Sequence, residues 1–120
     1  MTTTDELSVN AGGDITDASG EAVTVGGETS LDAGGSNVVL DNADTHDFAE
    51  AESFNAIAAN VTVDDIDGIQ LGVVTTTDEL SVNAGGNITD ASGEAVTVGG
   101  ETSLDAGSSN VVLDLSLIHI

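Results

Sequence analysis

Hydrophobic and polar residues alternate along this chain in short runs. Leu7 and Val9 flank Ser8 in "LSVNA", and Val23 and Val25 flank Thr24 in "AVTV". Period-two alternation in short runs of β-branched residues, bounded by Gly, Asn, Asp and Ser, predicts half-buried strands. Helical spacing is weak throughout, and frequent glycines would interrupt a helix. The pattern therefore predicts an all-β protein.

The runs recur. Residues 75–114 repeat residues 2–41 at an offset of 73, with two differences: Asp14 against Asn87 and Gly35 against Ser108. Residues 42–74 link the copies. A shorter motif, Asn or Asp, then Ile or Val, then Thr or Val, starts at Asp14, Asn37, Asn60, Asn87 and Asn110, with spacings of 23, 23, 27 and 23. Each short unit reads strand, turn, strand, turn, strand.

A unit of that size cannot enclose a core, but stacked units can share one. The expected architecture is a parallel β-helix solenoid of about five coils, each about 4.8 Å above the last. Leu7, Val9, Ile15, Val23, Val25, Leu31, Val38 and Leu40 should point inward. So should Val61, Val63, Ile69 and Leu71, and in the second copy Leu80, Val82, Ile88, Val96, Val98, Leu104, Val111 and Leu113. Val38, Val61 and Val111 should occupy equivalent positions. Asn37, Asn60, Asn87 and Asn110 could stack at one corner as an amide ladder that Asp14 interrupts. Small aliphatic side chains suit a narrow interior that bulky rings would crowd. A β-sandwich of immunoglobulin type has similar strand lengths. The internal period and the absence of Trp, Tyr and Cys count against it.

Both ends look foreign to the repeat. The second copy breaks at Leu115, and residues 115–120, LSLIHI, translate CTG TCT CTT ATA CAC ATC. That string resembles a transposon end used to tag sequencing libraries, so the tail is read as translated adapter and His119 is set aside. Met1 stands where Val74 precedes the second copy, as an internal GTG codon taken for a start would place it. The repeat segment is thus residues 1–114 of a longer repetitive protein.

Three stretches carry a resemblance: "LSVNAGGNITDASGEAVTVGGETSLDAG", "NVVLDNADTHDF" and "ANVTVDDIDGIQLG". They resemble the repeats of filamentous-haemagglutinin-like exoproteins, large secreted bacterial adhesins. The resemblance is one of repeat style and spans residues 2–114. It implies a right-handed β-helix, a secreted or cell-surface location and a structural part in adhesion to a host or environmental surface. The family's secretion domain is not visible in this sequence.

Charge narrows the partners. Twenty-two carboxylates face no Lys or Arg, for a net charge of −22. Such a surface repels nucleic acid and anionic membranes and attracts cations. No apolar run reaches membrane-spanning length, so no membrane insertion is expected. Without cysteine there is neither a disulfide frame nor a thiolate metal site. The expected neighbours are other coils of the same repeat.

Candidate chemistry is sparse. His46, in "DNADTHDF", lies in no nucleophile motif and reads as an exposed loop histidine. Carboxylates spread through near-identical repeats read as surface, whereas an enzyme needs one unique site. Catalysis is therefore not expected; the alternative is a fragment of a carbohydrate-active β-helix enzyme, which would use paired acids. Cations offer the sharper idea. Asp41 precedes Asp64, and Asp44 precedes Asp67, by one 23-residue coil. Stacking would bring these carboxylates close, and a Ca²⁺ between them would offset their repulsion. Threonines could form an ice-binding face only if aligned in every coil, and Thr24 and Thr97 are a full long repeat apart.

Overall fold

The computed structural model describes residues 1–41, 46–49, 52–113 and 118–119, the last pair by backbone alone. These residues form a β-solenoid of about five turns, all-β and with parallel pairing throughout. A first sheet stacks β1 (Thr2–Thr3), β4 (Thr24–Val25) and β7 (Asp47–Phe48). A second stacks β2 (Leu7–Asn10), β5 (Thr29–Asp32), β8 (Ser53–Ala58) and β10 (Ile69–Thr76). On β10 sit both β12 (Ile88–Asp90) and β13 (Val96–Val98), which carry β15 (Val111–Val112) and β16 (Ile118–His119). The third stacks β3 (Ile15–Thr16), β6 (Asn37–Leu40), β9 (Asn60–Asp65), β11 (Leu80–Ala84) and β14 (Thr102–Asp105).

Alternation sets the interior. In β9, Val61, Val63 and Asp65 point inward while Asn60, Thr62 and Asp64 lie half-exposed. Val38 meets Val61 and Leu40 meets Val63 across one coil step. Phe48 and Phe54 both lie in this core, edge to face with centroids 5.0 Å apart. The interior therefore admits rings. Its room comes from alanines: Ala56 and Ala58 point inward on the strand that carries Phe54.

Turns repeat with the sequence. Asp32 accepts a hydrogen bond from the Gly34 N–H at 2.9 Å, and Asp105 from the Gly107 N–H at 2.8 Å. Both glycines then take positive φ, +59° and +60°, which side chains other than glycine rarely adopt.

The asparagine ladder differs from expectation. Asn60 donates its amide to Asn37 Oδ1 at 3.0 Å, and Asn60 Oδ1 accepts from the Glu79 N–H at 2.9 Å. Asp14 does not interrupt this stack. Its Oδ1 accepts from the Asn37 N–H at 2.9 Å. Asn87 and Asn110 form a separate step, the Asn110 N–H donating to Asn87 Oδ1 at 3.0 Å. Two corners are occupied because an offset of 73 residues is not a whole number of coils. The sequence "LSVN" lies in the second sheet at β2 and in the third at β11. Val111 follows the same shift: it pairs with Ile88 in the second sheet and is 43% exposed, while Val38 and Val61 pair in the third.

Each repeat keeps its internal pairings through the shift. Thr2 meets Thr24 as Thr75 meets Thr97, and Leu7 meets Thr29 as Leu80 meets Thr102. Of the tail, Ile118 and His119 pair with Val96 and Thr97, while 114–117 and 120 lie outside the described residues. A parallel edge accepts any extended segment. Among the described residues, no helix is long and apolar enough to cross a membrane.

Candidate metal centre

Asp65 ends β9 with its side chain turned into the core and is 4% exposed. Its Oδ2 accepts from the Phe48 N–H at 2.8 Å, and its Oδ1 accepts from the Asp67 N–H at 2.9 Å. The carboxylate thus supplies, from a side chain, the acceptor that Phe48 needs toward the next coil. Asp47 on β7 and Asp67 in the following turn complete a trio with one oxygen from each within 4.8 Å of the others.

No Lys or Arg exists to neutralise this trio. Two carboxylates at that separation repel by about 0.8 kcal/mol in water, and more at lower dielectric. Burial pushes the Asp65 carboxyl up to about 8, with the Asp67 side chain adding to the rise and the two backbone hydrogen bonds opposing it. Asp47 is also raised, first by burial and then by the charge of Asp67. Burial thus favours the protonated form of Asp65 well above the usual carboxylate range. In its ionised form the trio would offer three of the six to eight oxygens that Ca²⁺ takes.

Of the four residues expected at a Ca²⁺ site, Asp67 belongs to this trio. Asp41 is exposed and follows Leu40, whose partner Val63 precedes half-buried Asp64. Neither is in the trio. Asp44 lies outside the described residues. Asp47 and Asp65 are the members that the expected set lacked. The signal for Asp65 was parity: it continues the inward series Val61, Val63.

His46 is buried, not exposed in a loop. Its side chain is 0% and that of Asp17 1% accessible, with Nε2 and Asp17 Oδ2 2.6 Å apart. The Val23 N–H points at Nδ1 from 2.8 Å. A backbone N–H can only donate, so Nδ1 carries no proton and Nε2–H donates to Asp17. The ring is neutral and ties the loop after β3 to the coil above.

A family model for repeats of unknown function, DUF5649, matches residues 1–55 and 58–116, one segment over each repeat. No curated protein and no solved structure matches the chain.

Proposed function

We propose, from the premise that this chain belongs to the repeats of unknown function grouped as DUF5649, that it is a structural stalk segment of a secreted or cell-surface bacterial adhesin. Its work is mechanical: to extend, to stay rigid and to hold a binding region away from the cell. The observation that carries this reading is the stacking of two near-identical repeats on one continuous core, from Val25 to Ala106. Parallel coils lengthen a rod without new folding rules. The resemblance to filamentous-haemagglutinin-like repeats supports the adhesive context.

Charge fits the same role. A carboxylate-rich surface stays solvated and resists lateral association while the ends remain free to stack. The interior needs no catalysis to explain it, since Asp17 with His46 and Asp65 with Phe48 each satisfy a structural hydrogen bond. A hard cation such as Ca²⁺ would be a structural ligand here and no reaction cofactor.

The test is single-molecule stretching of the chain, joined in tandem and flanked by reference domains. A stalk gives cooperative unfolding at forces above those that extend a flexible linker. Extension with no force peak would remove the mechanical role. Release of reducing sugar from plant or bacterial polysaccharides would instead support the carbohydrate-active alternative.

A further inference from the structure

At the N-terminal end of the solenoid lies a cavity of about 310 Å³, lined on its apolar side by Leu7, Val9, Ile15, Val23, Leu31 and Leu40. Leu7, Val9, Ile15 and Val23 are only half-buried, though packed against the core. The second repeat shows what the same face looks like when covered. Leu80, Val82, Ile88 and Val96, their counterparts, are 1%, 1%, 0% and 2% exposed. What covers them is residues 60–76: Val61 lies on Leu80, Val63 on Val82, Ile69 on Ile88 and Val74 on Val96.

Glycines report the same contrast independently. A Cβ at Gly85 would fall on the Ile66 carbonyl, and one at Gly86 would come within 2.8 Å of the Gly68 nitrogen. At Gly12 and Gly13, the matching positions, a Cβ meets nothing within 4 Å. The Gly85 and Gly86 N–H groups donate to the Asp65 and Asp67 carbonyls at 3.0 and 2.8 Å. The sequence at residues 6–16 is thus fitted to a close-lying coil that the second repeat has and the first does not.

We infer that the open face of the first coil is a docking surface for a β-coil of the linking type, an extended segment with the residue pattern of residues 60–76. The register follows from the covered copy. The partner's Val61 equivalent sits on Leu7, its Val63 equivalent on Val9 and its Ile69 equivalent on Ile15. Its Asn60 equivalent accepts from the Glu6 N–H, as Asn60 accepts from the Glu79 N–H. Its carbonyls take the Gly12 and Gly13 N–H groups. Apolar contacts and a backbone ladder supply the attraction, as in other strand-addition interfaces. The inference stands whether or not the stalk has an adhesive role.

The test repeats residues 52–74 immediately before Thr2 in the full chain. Amide exchange at Gly12 and Gly13 should slow by about tenfold or more as those groups enter the ladder. The same extension with Asp at the two positions copied from Val61 and Val63 should lose that protection. Unchanged exchange in the first chain, or equal protection in the charged one, overturns the inference. A synthetic peptide of residues 60–76, added to the unmodified chain, provides the second measurement. It should shift the Val9 and Ile15 methyl resonances, and a scrambled peptide should not; equal shifts from both, or none, overturn it. Protection of Gly12 that appears in the unmodified chain alone as its concentration rises would overturn the choice of occupant in favour of a second copy.

Discussion

The two repeats differ at two positions in forty, yet their side chains lie in different surroundings. At the N-terminal end Leu7 and Val9 are half-buried while Leu80 and Val82 are 1% exposed each. At the other end the order reverses: Val38 is 0% exposed and its counterpart Val111 is 43% exposed. Burial follows the number of coil neighbours and not residue identity. In a solenoid, the environment of an amino acid is a property of its place in the stack.

The comparison breaks most sharply at paired core positions. Leu80→Ala should cost about 2–5 kcal/mol, and Leu7→Ala about 1 kcal/mol or less, because a half-exposed site creates no sealed cavity. Urea midpoints of the two variants measure the gap, and equal shifts would mean that position in the stack does not decide burial. Glycine pairs come next. Gly85→Ala forces the Ile66 carbonyl aside and should cost about 1–3 kcal/mol, while Gly12→Ala should stay within about 0.5 kcal/mol of the parent.

A pH series sharpens the contrast between the repeats and the link. The two carboxyls raised by burial, Asp47 and Asp65, both lie in the link between the copies, so the pH dependence they give should arise there. The Asp65 carboxyl moves from 3.8 to about 8 on folding, so the native state holds the extra proton between those values. Stability is then fullest in mild acid and falls as pH rises toward 8, by at most about 1.4 kcal/mol per pH unit for one proton. Melts of the parent should show this decline, and Asp65→Asn should flatten it. A parent more stable at pH 8 than at pH 5 would contradict the assignment.

Calcium should give the smallest effect. At matched ionic strength above pH 8, Ca²⁺ should raise the melting temperature more than Na⁺ does, and Asp67→Asn should abolish the difference while keeping the general salt effect. Identical melts in the two salts would leave the trio as a proton-sharing cluster.

Much of the fold is legible in the sequence because two-residue alternation and the short period are local signals. They place the inward series of β6, β9 and β11, and the parallel stack follows from the need to share a core. What escapes is whatever depends on how unequal coils add up. Spacing alone does not show that Asn87 leaves the corner of Asn37 and Asn60, since the linking coil is shorter: Val61 to Leu80 is 19 residues where Val38 to Val61 is 23. That shortening also brings Asp65 and Asp67 beside Asp47, a proximity that one-coil arithmetic at 23 misses. His46 reads as exposed from sequence because its partner, Asp17, lies 29 residues away, and only the folded coils join them.

The mismatch between repeat length and coil length has one more consequence. A tandem series with this period would behave like a spiral staircase whose steps are not aligned with its landings. Any feature of one repeat, such as the loop between Asp17 and Ala22, would return in the next copy turned to another side of the rod. An object approaching from any direction would then meet the same feature at intervals. Such a rod needs no preferred orientation to engage a surface, and contacts that are weak one at a time can add through multivalency.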